Sequence, residues 1–267
     1  MSKEQKFNYD EAASLGRVTL VGAGPGAVDL MTLRGQRALQ AAEVVVYDDL
    51  ANAELLGFCP ETAKRIYVGK RAGNHCIPQT EISAILVREA QLGQHVVRLK
   101  GGDPLVFGRG GEEMQALAEA GIPCAIVPGV TAAIAAGAGA GIPLTHRDHA
   151  SAVVFVTGHE CAGKSENRNH VNWAALAKTG ATLCIYMGVR RLPEIAEALE
   201  EGGLSGETPV AVVANATLAT ESVHVTTLAL APLLSATLKG QPSLIIVGEV
   251  VRWAELPQTM QSLQIAG

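Results

Sequence analysis

The amino-acid sequence predicts an α/β protein made of two α/β domains. Short apolar runs rich in β-branched residues alternate with helical patterns along the 267-residue chain, as expected of βαβ units and mainly parallel sheets. Hydrophobic residues make up 48% of the chain and aromatic residues 4%, which suits buried parallel strands under close-packed helices. The alternation breaks near residues 141–149 and then restarts. We therefore expect a loose tail at 1–15, one domain at 16–145 and a second at 146–267.

The apolar patterns predict the elements in order. Strands are expected at 18–21, 44–47, 65–68, 96–99 and 125–127, and then at 153–156, 183–186, 210–213, 223–226 and 244–247. Thr32 and Thr80 are predicted to cap helices, the second of which carries an apolar stripe over 82–90. Another helix is expected after Glu112. In the second domain helices are expected at 173–178, 192–201 and 228–238.

Composition and charge exclude several classes of function. Lys and Arg number 21 and Asp and Glu number 26, so the net charge is −5 and no basic field is expected to recruit nucleic acid or an anionic membrane. Residues 1–15 lack an apolar segment, and no apolar run reaches the roughly 18 residues that cross a bilayer. The 5 cysteines are scattered without a C-x-x-C pair, which is typical of reduced thiols in the cytoplasm. His146, His149, His159 and Cys161 match no ordinary zinc spacing, so no metal site is predicted.

Residues 98–113, RLKGGDPLVFGRGGEE, are the most informative segment, and we call them the glycine loop. Glycine loses more backbone entropy on folding than any other residue, so this density of glycines requires a reason such as positive φ or close approach to a ligand. The loop follows a predicted strand, and open α/β sheets bind ligands at the carboxyl ends of their strands. The sequence therefore predicts a ligand site at the glycine loop.

An earlier segment, VGAGPGA at 21–27, matches the dinucleotide fingerprint G-x-G-x-x-[GA], with Asp48 and Asp49 about 20 residues further on. An NAD-dependent dehydrogenase is therefore an alternative. The fingerprint requires a helix that starts at the glycine turn, whereas this helix is predicted to begin only after Thr32. The richer glycine loop also follows a different strand, which a single dinucleotide site leaves unexplained.

A series of short motifs occurs in order between about Arg17 and Arg252. They are GAGPG at 22–26, YD at 47–48, VGKR at 68–71, the glycine loop, PGVTAA at 128–133, GIPLTHR at 141–147, TGH at 157–159 and YMG at 186–188. Taken together, they resemble the tetrapyrrole methylase family. The end of the glycine loop, FGRGGEE, is far more specific than GAGPG.

The resemblance implies a fold and an activity. Two α/β domains, usually in a homodimer, hold S-adenosylmethionine in a ligand cleft between them and methylate an acidic tetrapyrrole, releasing S-adenosylhomocysteine. The branch that the motifs resemble most methylates uroporphyrinogen III at C2 and C7. Its product, precorrin-2, feeds the synthesis of sirohaem, cobalamin or haem d1. The reaction requires neither a metal nor a nucleic acid or membrane partner.

Matched position by position, the resemblance also implies a cofactor site. Its residues are Pro25, Gly101, Gly102, Asp103, Val106, Thr131, Ala132, Met187 and Ala216. Glycines let the backbone approach the methionine moiety, and Asp103 can accept hydrogen bonds or offset a positive charge. Met187 and Ala216 would offer an apolar wall to the adenine, although ordinary core packing is the alternative for both.

The same resemblance implies that Asp48 is the proton acceptor and Lys70 the proton donor. Both follow predicted strands at their carboxyl ends. The substrate carries eight carboxylates and the chain is acidic, so local cations must hold it. The cations at predicted loops or strand ends are Lys70, Arg71, Arg98, Lys100, Arg109 and Arg147.

Of these cations, Arg109 is predicted to contact the substrate and to take part in proton handling, because the flanking glycines expose it. Arg147 is predicted to be a second substrate contact. Glu112 and Glu113 either orient Arg109 or complement the dipole of the following helix, and we favour the second interpretation.

Two positions depart from the family pattern. Ala27-Val28 stands where an acidic residue and a proline often occur, and Ala138-Gly139-Ala140 lacks the aromatic residue often found before GIP. Both departures remove side-chain bulk near the expected cleft. The alternatives are a methylase of another precorrin or a relative that methylates ribosomal RNA ribose. From other classes, an NAD-dependent dehydrogenase and a non-catalytic binding module remain.

Overall fold

The computed structural model describes residues 15–69, 77–159 and 170–255. They form two compact units, the first of residues 15–24 and Val28–Gly129, the second of Pro25–Ala27 and residues 130–255. The sequence placed the boundary at 145/146, whereas the units divide after Gly129. The reason for the difference is a helix, Ala132–Gly139, which packs through Ala133 and Ala136 into the core of the second unit.

The first unit is built on a five-stranded sheet in which every pair of neighbours is parallel. Its strands are β1 (Arg17–Gly22), β2 (Val44–Tyr47), β3 (Lys64–Tyr67), β4 (His95–Lys100) and β5 (Cys124–Val127), in the order β3-β2-β4-β1-β5. Its helices are α1 (Leu33–Gln40), α2 (Gln79–Gln91) and α3 (Gly110–Glu119).

The helices lie on both faces of this sheet. On one face, α1 packs through Leu39 and the 3-10 segment Ala53–Phe58 through Leu55. On the other face, α2 packs through Leu86 and α3 through Leu117. The segments that leave β1 and β2 therefore lie on one face, and the segment that leaves β4 lies on the opposite face. Because β4 lies between β2 and β1, a topological switch point falls at its carboxyl end, the usual ligand position in such sheets.

The second unit contains a mixed five-stranded sheet. Its elements are α4 (Ala132–Gly139), β6 (Val153–Thr157), α5 (Trp173–Ala177), β7 (Thr182–Tyr186), α6 (Leu192–Glu201), β8 (Pro209–Ala214), β9 (Ser222–Thr227), α7 (Leu234–Thr237) and β10 (Ser243–Val247). The strand order is β6-β7-β10-β8-β9. β6 and β7 are parallel, whereas β10 is antiparallel to β7 and β8, and β9 is antiparallel to β8.

The expectation of mainly parallel sheets is therefore confirmed for the first unit and wrong for the second. β8 is buried along its whole length and β10 along nearly all of it. Continuous apolar runs of this kind are typical of parallel strands, so the sequence pattern does not distinguish the two arrangements here.

The predicted strands all occur, each within about one residue of its predicted ends. Thr32 caps α1 as predicted, since its Oγ1 accepts a 3.1 Å hydrogen bond from the amide of Gly35. Thr80 does not cap α2, because the helix already begins at Gln79 and Pro78 occupies the cap position. The helix predicted at 228–238 is broken into a 3-10 segment, Ala231–Leu233, and the short α7, because Pro232 lacks the amide that a continuous helix needs.

Among the described residues, no helix has both the length and the apolar character needed to cross a membrane.

Candidate functional site

Three glycine turns meet at the carboxyl edge of the first sheet. Gly24 and Gly102 exchange backbone hydrogen bonds of 3.2 and 2.7 Å. A Cβ on Gly22 would lie 2.5 Å from the amide nitrogen of Gly129, and a Cβ on Gly129 would overlap the carbonyl oxygen of Gly102. The turns after β1, β4 and β5 are therefore in direct backbone contact, which only glycine permits.

The first half of the glycine loop is held in this layer by Asp103. Its Oδ1 accepts a 2.8 Å hydrogen bond from the amide of Leu105, and its Oδ2 accepts a 3.1 Å bond from the amide of Gly129. Gly102 has a φ of 66°, and a Cβ on Gly101 would lie 2.6 Å from the Cβ of Leu50. Gly101, Gly102 and Asp103 thus lie together at the switch point, and both carboxylate oxygens of Asp103 help to fix the backbone there.

The second half of the loop is strained and exposed. Phe107 and Arg109 have φ values of 52° and 59°, in the left-handed region that side chains other than glycine rarely adopt. Phe107 is 39% exposed, while Val106 behind it is half-buried. Such strain concentrates at ligand sites, where the surrounding structure maintains it.

Arg109 forms a two-point ion pair with Glu112 on the first turn of α3. Its Nε and Nη2 donate hydrogen bonds of 2.8 and 2.7 Å to the two carboxylate oxygens, and more than half of each side chain is exposed. The hydrogen bond from Arg109 lowers the pKa of Glu112. Glu112 therefore orients Arg109, which the sequence analysis considered the less favoured interpretation.

Asp48, at the carboxyl end of β2, is paired with the buried Arg98 of β4. Its Oδ2 accepts a 2.6 Å hydrogen bond from Nη2 of Arg98, and its Oδ1 accepts a 3.1 Å bond from the amide of Leu50. The Asp48 side chain is 24% exposed and that of Arg98 only 3%. The carboxylate is thereby fixed in orientation and still reaches solvent. Lys70 and Arg71 lie outside the described residues.

Arg98 and Lys100 belong to a buried ionic cluster around Glu113. Oε1 of Glu113 accepts from Nζ of Lys100 at 3.0 Å and from Nε of Arg98 at 3.3 Å, and Gln79 donates a 2.9 Å bond to the same oxygen. Burial lowers the pKa of Lys100. The expectation that Arg98 and Lys100 hold an acidic ligand is wrong, because both side chains are buried and paired. Glu113, which is fully buried, neither orients Arg109 nor lies on an exposed helix turn.

In the second unit, Tyr186 joins two of the predicted cofactor segments. Its hydroxyl lies 2.7 Å from Oγ1 of Thr131 and accepts a 3.1 Å hydrogen bond from the amide of Ala133, so it satisfies the amino end of α4 just after Ala132. Met187 follows directly, with a φ of 54° and a side chain that is 54% exposed. Thr131, Ala132 and Met187 are therefore neighbours at the carboxyl end of β7.

Ala216 and Pro25 lie on two turns that pack against each other within the second unit. β8 ends at the same sheet edge as β7 because both run antiparallel to β10, and Ala216 follows β8 at that edge. Oγ1 of Thr217 accepts a 2.9 Å hydrogen bond from the amide of Ala27. Both Pro25 and Ala216 are half-buried.

Arg147 is not brought to this edge. It lies before β6 and lines a shallow pocket of about 250 Å³ together with Thr179 and Gly180, which precede β7. Since β6 and β7 are parallel, this pocket lies at the opposite sheet edge from Met187. Within the described ranges, no three His, Cys, Asp or Glu residues are close enough to hold a metal ion.

Sequence reasoning missed Tyr186, Asn215, Thr217 and Glu221. Asn215 and Thr217 have φ values of 50° and 69°. With Phe107, Arg109 and Met187 they make up the non-glycine residues of positive φ in the described part of the chain. An asparagine after a predicted strand is a weak signal of such a turn, since Asn tolerates this backbone region, whereas Thr217 gives no such signal.

Two α/β units with strained turns at the carboxyl edges of their strands are typical of α/β enzymes that bind small organic ligands at such edges. The sequence pattern of the tetrapyrrole (corrin/porphyrin) methylases matches residues 17–231. The chain belongs to this family, and the predicted family and fold are confirmed.

Two methyltransferases of known structure are similar to this chain in both sequence and fold. The crystal structure of uroporphyrin-III C-methyl transferase from Thermus thermophilus complexed with S-adenyl homocysteine has a TM-score of 0.75 and 39% identity, covering 89% of this chain and 99% of that chain. A cobalt precorrin-4 methyltransferase has a TM-score of 0.77 and 29% identity, covering 88% of this chain and 95% of that chain.

A curated relative, siroheme synthase of Baumannia cicadellinicola subsp. Homalodisca coagulata, is 49% identical over 250 residues, covering 94% of this chain and 53% of that protein. The chain spans about half the length of the curated relatives it matches.

Proposed function

We propose that this chain is an S-adenosylmethionine-dependent C-methyltransferase that methylates uroporphyrinogen III at C2 and C7 to give precorrin-2 and S-adenosylhomocysteine. The observation that carries the proposal is the 39% identity with the uroporphyrin-III C-methyl transferase of Thermus thermophilus, which extends over 89% of this chain and 99% of that one. The name of the curated relatives, siroheme synthase, agrees with a product that feeds sirohaem synthesis.

The described residues fit S-adenosylmethionine. Gly101 and Gly102 bring backbone to the switch point without side-chain bulk, and the positive φ of Gly102 suits a backbone that faces a ligand. Met187 keeps an apolar side chain more than half exposed on a strained backbone, as expected of a surface that an adenine covers. When bound, S-adenosylmethionine supplies an electrophilic methyl group. Pro25, Asp103, Val106, Thr131, Ala132 and Ala216 complete the proposed set.

Asp48 is the proposed proton acceptor. Methylation of a pyrrole-derived carbon requires the loss of a proton, and a base within hydrogen-bond reach accelerates this step. The Arg98 guanidinium holds one carboxylate oxygen of Asp48 at 2.6 Å, while the side chain keeps 24% of its surface exposed. Each carboxylate oxygen has two lone pairs, so Asp48 retains capacity to accept a proton. Lys70, the proposed proton donor, lies outside the described residues.

Arg109 is the proposed contact for a substrate carboxylate. Its guanidinium already binds the Glu112 carboxylate at two points and is more than half exposed, so a substrate carboxylate can reach it and replace Glu112. Arg147 stays a proposed second substrate contact, although it lies at the opposite edge of the second sheet from Met187.

A methylase of another precorrin is the second candidate. Its support is the TM-score of 0.77 with a cobalt precorrin-4 methyltransferase, at the lower identity of 29%. A dehydrogenase is not favoured: α1 begins at Leu33, well after the GAGPG turn, and Gly22 and Gly24 face the backbone of neighbouring turns.

We further propose that the enzyme acts as a homodimer in the cytoplasm, without a nucleic-acid or membrane partner. The net charge of −5 supports the lack of nucleic-acid binding. Free thiols at Cys59, Cys124 and Cys184 support a reducing compartment.

The test is to incubate the purified protein with methyl-labelled S-adenosylmethionine and uroporphyrinogen III. The proposal expects two labelled methyl groups per tetrapyrrole in a product that oxidises to the corresponding dimethylated chromophore. Parallel incubations with later precorrins decide between the two candidates. Transfer only to a later precorrin, or no transfer together with NAD binding in calorimetry, would contradict the proposal.

A further inference from the structure

The hairpin loop between β8 and β9, residues 215–221, has a backbone that its sequence does not favour. Thr217 has a φ of 69°, and a β-branched residue in this region is a true outlier. Strain of this kind costs free energy and persists only where surrounding contacts maintain it. Contacts to Thr217 must therefore offset this cost.

Glu221 supplies one of these contacts from the other end of the same loop. Its Oε2 accepts a 2.6 Å hydrogen bond from the amide of Thr217. Hydrogen bonds from an amide to an ionised carboxylate are short and stronger than neutral ones. The carboxylate thus fixes the peptide at Thr217, one residue after the proposed adenine contact Ala216.

The fixed Thr217 in turn holds the turn at Pro25–Ala27. Oγ1 of Thr217 accepts the 2.9 Å bond from the amide of Ala27. A Cβ on Gly26 would lie 2.8 Å from Cδ2 of Leu218, so the two turns are packed as closely as glycine allows. The hydrogen bond between Glu221 and Thr217 therefore stabilises both the turn that carries Ala216 and the turn that carries Pro25.

Gly139, at the end of α4, provides the space for the carboxylate. A Cβ at this position would lie 3.0 Å from both Oε1 and Oε2 of Glu221. A Cβ at 139 would therefore require the carboxylate, which is bonded to Thr217, to shift by a few tenths of an ångström.

We propose that Glu221 is a positioning residue for the methyl donor, and that Gly139 leaves the space in which its carboxylate reaches Thr217. Glu221 holds Thr217 in its left-handed conformation, and Thr217 places both Ala216 and Pro25 for the donor. This inference rests on the proposed function, since it assumes that these two residues bind S-adenosylmethionine.

The experiment is calorimetric titration of the full chain and its variants with S-adenosylhomocysteine. Glu221→Ala is expected to weaken binding by about tenfold or more, the effect of losing one charge-assisted hydrogen bond. Glu221→Gln should lose less affinity, because its amide oxygen still accepts from Thr217. In activity assays, the KM for S-adenosylmethionine should rise while that for uroporphyrinogen III stays unchanged, a split that general destabilisation would not produce.

Gly139→Ala is the complementary variant, because alanine favours the helix and therefore should not lower the melting temperature. It is expected to weaken S-adenosylhomocysteine binding nevertheless. The matched control is Gly206→Ala, whose Cβ would lie 2.9 Å from Oε1 of Glu200, away from the site, and which should leave binding unchanged.

Wild-type affinity in both Glu221→Ala and Gly139→Ala would overturn this inference and leave the proposed function intact. A wild-type protein that does not bind S-adenosylhomocysteine would overturn both.

Discussion

The guanidinium of Arg98 connects two carboxylates of very different exposure. It donates a 2.6 Å hydrogen bond to Asp48, whose side chain is 24% exposed, and a 3.3 Å bond to Glu113, which is fully buried. Arg98 thus anchors a solvent-accessible acid on a buried ionic cluster at the switch point of the first sheet. The orientation of Asp48 is set from inside the protein.

Asp48→Asn should reduce the rate of methyl transfer without weakening S-adenosylhomocysteine binding. Asn keeps the size and one acceptor oxygen but has no basic carboxylate, so loss of general base catalysis predicts a decrease in kcat of about 10²- to 10⁴-fold. Single-turnover measurements with saturating donor test this. The control is Glu119→Gln on the exposed side of α3. Near-normal turnover in Asp48→Asn would exclude Asp48 as the base.

Arg109→Ala should cost far more activity than donor affinity. Arg109 lies on the exposed half of the glycine loop and binds carboxylate at two points. Arg109→Lys should restore only part of the activity, because an ammonium group cannot form the two-point contact. Steady-state kinetics and titration with S-adenosylhomocysteine check both statements. Equal losses of activity and donor affinity would place Arg109 in the donor site instead.

Arg98→Met should be strongly destabilising. Without the guanidinium, Glu113 stays buried with only Lys100 as a cationic partner. Removing one partner of a buried ion pair lowers the free energy of unfolding by about 3–5 kcal/mol. Urea denaturation measures the change. The contrasting variant is Arg252→Met, which removes a pair to Glu249 with side chains 60% and 49% exposed and should cost less than about 1 kcal/mol. Similar losses in the two variants would show that burial of the cluster is unimportant for stability.

Folding stability should fall in mild acid because of His95. Its ring lies 3.1 Å from Oγ1 of Thr19 and 2.9 Å from the carbonyl oxygen of Ala41, and burial lowers its pKa from the ordinary value of 6.5. Between the folded-state pKa and 6.5 the unfolded chain binds more protons, so stability rises with pH across this window. This contribution is fully present above 6.5 and is lost as the pH falls through the folded-state pKa.

Urea denaturation of the wild type and of His95→Gln at about pH 7.5 and about pH 5.5 measures the effect. The wild type should lose more stability between the two conditions than the variant. Identical losses would show that His95 titrates alike in the folded and unfolded chains.

Gly22→Ala should prevent or severely weaken folding, although it adds only a methyl group. That methyl would lie 2.5 Å from the amide nitrogen of Gly129 and 2.7 Å from the carbonyl oxygen of Gly102. Both are backbone atoms, so relieving the overlap requires a movement of the main chain. Gly111→Ala is the matched variant, because its Cβ has no heavy atom within 4 Å and the residue lies in α3. It should stabilise the protein by about 0.5–1 kcal/mol. Thermal unfolding distinguishes the two, and an equal response would contradict the close backbone contact.

The strands were predictable because each is a local apolar run that ends in a turn, and the cap at Thr32 is equally local. α4 was not predicted, since its sequence AAIAAGAG has no polar face and so no helical periodicity. The antiparallel arrangement of β10 was not predictable because burial on both faces removes the alternation that usually marks antiparallel strands.

The predicted site residues lie within short sequence motifs, and most of them are found at the ends of strands. The residues that support them could not be predicted in this way. Glu113 meets Arg98 across 15 positions, and Tyr186 meets Thr131 across 55. Neither pair has a local sequence signature, because each depends on the fold that brings the two segments together.

The contact among Gly22, Gly102 and Gly129 has a consequence for how such sequences change. Gly22 is required by the backbone of Gly129, and Gly129 by the backbone of Gly22 and Gly102, so the two positions are coupled although they lie far apart in the chain. A side chain at Gly22 or Gly129 would overlap the backbone of a facing turn, so neither glycine can change unless that turn moves. The first glycine of the GAGPG turn is thus required by the protein's own backbone. A pattern that suggests a phosphate site in other proteins here reflects the contact among the turns after β1, β4 and β5.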